Sequence, residues 1–356
     1  MKGTTMAHPI NPGISFSKKR NAVKTSPELV SIGSLDECWL PVVLEPSLKG
    51  LDLSSWAASH GAFLDTTLAM SGAILFRNFK LKAVEQFETF IQAWCGPLLE
   101  YKERSSPRSQ VKGNVFTSTD YPPERSIFPH TEQSYNYTFP MRIAFFCMTE
   151  AAQGGETPIA DTRRILKRVR PEVRARFEQQ GYLYVRNFGD GLGLSWQEAF
   201  QTNDPFAVEK HCRNGFIDFE WRSHGRLQTR QRRPVVAYHP SGEAWFNHMT
   251  FFHVSTLELD IRKQVLEAFS EKDLPNNTYY GDGSPIEPEI MEEMRRAYLA
   301  ELTSFRWQAG DVLVLDNVLT AHGRAPFAGQ RKVVVAMAQP CAWPKLDGGK
   351  ASWLPG

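Results

Sequence analysis

Apolar residues recur along this chain in two rhythms. Short dense runs, Leu40-Pro-Val-Val-Leu44, Gly72-Ala-Ile-Leu-Phe76, Ile143-Ala-Phe-Phe-Cys147 and Tyr182-Leu-Tyr-Val-Arg186, have strand length and β-branched or aromatic content. So do Val312-Leu-Val-Leu-Asp316, fed by the turn Trp307-Gln-Ala-Gly-Asp311, and Val333-Val-Val-Ala-Met337. Helical spacing places Val84, Phe87, Phe90 and Ile91 on one face of Lys82–Trp94, which stops before Gly96-Pro97. Arg170–Gly181 has proline in its first turn and glycine past its end, which predicts another helix. Two more are expected over Glu258–Phe269 and Glu287–Leu302. No internal repeat interrupts this order. The reading is a β core carrying helical insertions.

Composition narrows the class. A length of 356 residues suits one large domain or two modest ones and can bury a substantial core. A net charge of +2 gives no reason to expect nucleic acid or an anionic membrane as partner. The basic run Arg226–Arg233 then reads as a solvated loop or a docking face for an acidic partner. No apolar run approaches the roughly 18 residues of a membrane span. The five cysteines are scattered without a Cys-x-x-Cys pair, so reduced thiols and a cytoplasmic location are expected. Residues 1–27 are basic with no acid, lack a secretory apolar stretch, and read as a mobile tail.

The chemistry-bearing positions are Phe128-Pro-His130-Thr-Glu132 and, 192 residues later, His322. Two imidazoles and a carboxylate bind one face of Fe(II) and leave the opposite face open. With nine histidines and 39 acids, a single His-x-Glu triplet is unremarkable by itself. Its context adds weight: His322 follows a predicted strand, and Arg331-Lys332 opens the next one. That arrangement carries a metal ligand and an anion anchor toward one cavity.

Several stretches resemble one family. They are Glu103-Arg-Ser-Ser-Pro107, Val115-Phe-Thr-Ser-Thr-Asp-Tyr-Pro-Pro123, His130-Thr-Glu-Gln-Ser-Tyr135, Gly154-Gly-Glu-Thr-Pro-Ile-Ala-Asp161, Trp245-Phe-Asn247, Tyr280-Gly-Asp-Gly283 and His322 to Arg331. In this order, over roughly residues 95–340, they resemble the taurine-dioxygenase (TauD/TfdA) family of Fe(II)/2-oxoglutarate oxygenases, with SyrP-like hydroxylases the nearest likeness. The resemblance implies a distorted jelly roll (double-stranded β-helix), forming a single oxygenase domain over residues 28–356. It implies His130, Glu132 and His322 as iron ligands, and Thr157, 27 residues after His130, with Arg331 on the distal carboxylate of 2-oxoglutarate. Lys332 stays open as the alternative anchor; Arg331 is favoured because a planar guanidinium matches a carboxylate bidentately.

Succinate and carbon dioxide are the implied by-products, with O2 as the other co-substrate. Halogenating relatives carry Gly or Ala where Glu132 stands, so the carboxylate argues for hydroxylation, with desaturation or cyclisation as other fates of the same carbon. The implied substrate is a small molecule, an amino acid or a derivative of one, free or presented by a carrier protein. A non-amino-acid carboxylate or terpenoid, or a non-catalytic binding role for the jelly roll, are the competing readings. Arg104, Tyr135, Asn136, Asn247 and Arg324 are candidates for the substrate cavity. His248 and His253 flank Phe251-Phe252 and read as packed or surface residues.

Overall fold

A computed structural model describes residues 29–35, 39–101, 103, 105, 108–118, 121–189, 193–343 of the chain. The basic tail, Cys38 and Arg104 lie outside them. The fold is mainly β with several helices. An eight-stranded sheet runs in the order Val30–Ser34, Val42–Pro46, Ala73–Phe76, Val312–Asp316, Thr138–Thr149, Lys332–Ala342, Val115–Thr117 and Gln110–Lys112. Each of the dense apolar runs noted in the sequence around 72–76, 143–147, 312–316 and 333–337 lies within it. The predicted 40–44 strand is observed over Val42–Pro46, with Leu40-Pro41 in the bend before it.

Alternation decides which layer each side chain joins. Ile74, Phe76, Ala144, Phe146, Val312, Val314 and Val334 pack against Phe87, Phe90 and Trp94 of helix Val84–Cys95. The opposite parity, Leu75, Phe145, Leu313, Leu315, Val333 and Val335, packs with Ile159 and Trp307. These runs are apolar at every position because the sheet is covered on both faces. Phe87 and Phe90 are fully buried, each contributing about 1.5–3 kcal/mol from the area removed from water. That helix starts where Gln86 Oε1 accepts the N–H groups of Lys82 and Ala83.

The layer across from this sheet is four-stranded, in the order Leu302–Thr303, Ile159–Asp161, Thr320–Arg324 and Ile127–His130. A second four-stranded sheet joins Asp218–Arg222, Arg226–Arg233, Tyr182–Phe188 and Asn276–Tyr280. The loop expected over Arg226–Arg233 is therefore corrected: it is an eight-residue strand paired on both sides. Period-two alternation resolves the paradox of its charge. Arg230 and Arg232 are exposed, whereas Gln231 and Arg233 are buried. The Arg233 guanidinium donates to the carbonyls of Tyr135 and Gly215, both at 2.8 Å, and so meets the requirement that a buried charge be hydrogen-bonded.

Candidate active site

Strands Ile127–His130 and Thr320–Arg324 bring His130 and His322 together as cross-strand partners. Their ring centroids are 4.7 Å apart. Gly323 permits the approach: a Cβ there would lie 2.5 Å from the Ile127 carbonyl oxygen. Glu132 sits in the turn that follows His130 and is 2% exposed. One nitrogen of each imidazole and one oxygen of this carboxylate lie within 4.8 Å of one another.

The two rings are oriented by different means. His130 Nδ1 donates to the Phe128 carbonyl at 2.9 Å, which leaves the Nε2 lone pair for a ligand. The His322 ring is held by packing against Phe145 at 5.1 Å between centroids, and its buried Nδ1 has no hydrogen bond. Its Nε2 lies 4.0 Å from Glu132 Oε2. Burial lowers the His130 imidazolium below its ordinary range against the pull of Glu132. Burial takes His322 well below it, with the charges of His130 and Arg108 acting the same way. Both rings are thus held neutral, the form in which imidazole binds metal.

Around this triad the cavity is lined by Arg108, Ser118, Thr157, Arg324 and Arg331. Arg331 Nε donates to the Gly155 carbonyl at 2.8 Å, and Nη1 reaches Ser118 Oγ at 3.4 Å. Gly155 has φ +76°, and a Cβ on it would stand 3.0 Å from Arg331 Cδ, so the guanidinium passes where only glycine leaves room. Burial, aided by Arg324, brings Arg331 down to about 10, still a cation at neutral pH. Lys332 is exposed on the neighbouring position and lines no part of the cavity. Thr157 Oγ1 accepts from Trp307 Nε1 at 3.1 Å.

The other candidates divide. Arg324 lines the cavity, but its guanidinium donates to the carbonyls of Tyr121, Pro122 and Arg125, which fastens the preceding loop. Asn136 lines a different cavity, described below. Tyr135 is fully buried with its hydroxyl on the Glu103 carbonyl at 2.9 Å, outside the triad's cavity. Asn247 is spent on main-chain groups, its Nδ2 donating to the Val235 carbonyl twelve residues back and its Oδ1 accepting from Met249 N. His248 packs behind His130, centroids 5.1 Å apart, with Nδ1 2.9 Å from Ser134 Oγ. His253 is half-buried beside Ser255.

Two residues absent from the sequence reading touch Glu132. Arg108, 8% exposed, donates from Nη2 to Glu132 Oε2 at 2.7 Å and lies over the Tyr101 ring. Burial works most strongly against its charge, but Glu132, Tyr101 and Tyr135 together outweigh burial and the guanidinium is raised above its ordinary range. Asn317, fully buried, brackets the Glu132 main chain. No spacing rule flags either one.

Two nitrogens and one carboxylate oxygen in a buried cluster are a donor set suited to ferrous iron, and the arginine-lined wall beside it suits a small dianion. The comparisons with known proteins agree. The family model "Taurine catabolism dioxygenase TauD, TfdA family" matches residues 39–337. The dapdiamide synthesis protein DdaC of Enterobacter agglomerans is 40% identical over 279 residues, covering 78% of this chain and 85% of that one. A clavaminate synthase-like protein of Arabidopsis thaliana is 31% identical over 291 residues, covering 78% and 84%. Among solved structures, a taurine dioxygenase from Burkholderia xenovorans superposes with TM-score 0.51 at 16% identity, covering 90% and 93%. The chain belongs to the TauD/TfdA family. It is an iron- and 2-oxoglutarate-dependent dioxygenase.

Proposed function

We propose that this dioxygenase hydroxylates an unactivated C–H bond of an amino acid or an amino-acid-derived intermediate. The convergence of His130, Glu132 and His322 in one buried, neutral-imidazole cluster carries the reaction class. When bound, iron and 2-oxoglutarate supply the oxidising power: O2 is consumed, 2-oxoglutarate becomes succinate and carbon dioxide, and one oxygen atom goes to the substrate. His130, Glu132 and His322 hold the metal from one side and leave the other open. Arg331, with Thr157, binds the distal carboxylate of 2-oxoglutarate; its fixed charge and planar fork suit a carboxylate better than Lys332 would. Phe145, Val333 and Val335 form the apolar wall that keeps water from the reacting centre. Glu132 occupies the position a halide would need, which favours hydroxylation.

The substrate class leans on the 40% identical relative, whose name places it in dapdiamide synthesis. A more distant relative, an isocyanoethenyl-indole synthase of Fischerella ambigua, 23% identical over 268 residues, lends support to the same amino-acid-related class. Whether the substrate is free or carrier-bound is part of the same test. We read the two facing sheets around the cavity as the family's distorted jelly roll, within one domain from residue 28 in a cytoplasmic protein. Among the described residues no helix is long and apolar enough to cross a membrane. The test is succinate release with Fe(II), O2 and 2-oxoglutarate over a panel of amino acids, free and carrier-bound. One substrate should raise succinate and gain one oxygen by mass. Turnover confined to other small molecules overturns the amino-acid assignment, and no dependence on 2-oxoglutarate overturns the whole reading.

A further inference from the structure

Glu132 belongs to a turn between strands, where a backbone has few partners of its own. Here it has two from a single side chain. Asn317 Oδ1 accepts the Glu132 N–H at 2.8 Å, and Asn317 Nδ2 donates to the Glu132 carbonyl at 2.8 Å. The same Nδ2 donates to the Pro140 carbonyl at 2.8 Å, and the Asn317 main-chain N–H bonds Met141 O at 3.0 Å. A side-chain amide thus copies the pairing of a strand neighbour across 185 residues of sequence.

Asn317 is itself fixed. It stands in the turn that ends strand Val312–Asp316, and Asp316 Oδ1 accepts the N–H groups of Val318 and Leu319 at 3.1 and 3.3 Å. Arg142 anchors the other oxygen of Asp316 at 2.6 Å. Strand Thr320–Arg324, with His322 on it, starts immediately after this turn. Glu132 has one more rotatable side-chain bond than an aspartate, so its carboxylate can be placed only if its main chain is placed first.

We propose that Asn317 is a positioning residue for the metal centre: it pins the Glu132 backbone to the turn that launches His322, and so sets the separation of the two ligands. The proposal rests on the reading of His130, Glu132 and His322 as metal ligands. Partners of this kind, acting through a ligand, are worth about 10–100-fold in metal affinity. A purely structural asparagine would lower stability and leave the affinity of the folded protein alone.

The experiment titrates full-length protein with Co(II), well below its melting temperature, following the visible d–d bands, with melting of the metal-free protein recorded alongside. Asn317→Ala should bind Co(II) about 10–100-fold more weakly than the parent, with altered bands. Asn317→Ser, whose hydroxyl can keep one of the bonds, should fall between and serves if the alanine variant does not fold. Thr162→Val is the control, because Thr162 Oγ1 bonds the Val318 carbonyl of the same turn at 2.7 Å and does not touch Glu132. It should melt lower yet bind Co(II) like the parent. Parent-like affinity in both Asn317 variants, or an equal loss in Thr162→Val, overturns the proposal. His130→Ala separates the two levels: if it binds like the parent, the ligand reading itself falls; if it loses Co(II) while the Asn317 variants do not, only the pin falls.

Discussion

Strand Ile127–His130 and the turn after it contribute to two cavities that share no lining residue, and their contents are opposite. One is narrow, about 30 Å³, and is lined by His130 and His322, three arginines and, among the described residues, no carboxylate. The other, about 570 Å³, is lined by Glu100, Glu103, His211 and the amides Asn114, Gln133, Asn136 and Asn214, with no arginine or lysine among the described residues. The first has the donors and positive field for a metal with a small dianion, but little room. The second has room for a small molecule, but among the described residues its acids and histidine form no converging set of three metal donors. Chemistry and space are therefore built from different stretches of chain. His130 lines the narrow cavity, and Gln133, three residues past it with a left-handed φ of 54°, lines the other.

The hardest blow to this contrast is His322→Ala. It should remove the weak visible band of the anaerobic Fe(II)/2-oxoglutarate complex and cut succinate release by more than about 100-fold, well beyond the effect of losing an outer partner. A normal band would mean that the narrow cavity is not the metal site. Glu103→Gln probes the other region. Glu103 is 4% exposed, 2.8 Å from His211 Nε2 and 3.9 Å from Arg186 Nη1. Removing its charge beside buried Arg186 should cost about 3 kcal/mol in urea unfolding, without changing Co(II) affinity. A loss of metal binding at full stability would show that the two cavities are not separate.

Arg331→Ala should raise the 2-oxoglutarate requirement about 10–100-fold, the worth of a charge-assisted bond, and Lys332→Ala by less than about 2-fold. The reverse order in a succinate assay would move the anchor to Lys332. The mildest test uses pH. Burial lowers the His253 imidazolium to about 4, so its neutral form is favoured in the folded protein. The unfolded chain takes up the proton first, so this contribution is complete above about pH 6.5 and is lost as pH falls toward 4. Between pH 7 and 5.5 the loss from His253 should be about 1 kcal/mol, and His253→Asn should flatten that part of the urea-midpoint profile. An unchanged slope removes His253 from the account.

Where the pattern of apolar residues was strong, it located elements to within a few positions. Helices expected over 82–94, 170–181, 258–269 and 287–302 are observed at Val84–Cys95, Pro171–Gln180, Leu259–Ala268 and Pro288–Leu299. It failed over Arg226–Arg233, where charge was read as exposure. A strand can hide alternate arginines when carbonyls such as those of Tyr135 and Gly215 receive them. The convergence of His130, Glu132 and His322 was legible because their motifs resemble the family's in order and spacing; as a residue-type triplet alone it would not have stood out. Arg108 and Asn317 were not, since an arginine in a loop and an asparagine after a strand are ordinary on their own.

Local periodicity was enough to fix most of the elements, and the motifs that resemble the family marked the donors brought together at the centre, because motifs and apolar stripes are written in the side chains themselves. Which cavity each candidate enters was settled only by the packed chain. Asn136 and Asn247 look alike in sequence, yet one lines the larger chamber and the other ties its turn to the Val235 carbonyl. The physical reason is that a hydrogen bond spanning 185 residues, such as the one from Glu132 to Asn317, leaves no periodic trace. It exists only once two sheets have packed and set the register between them.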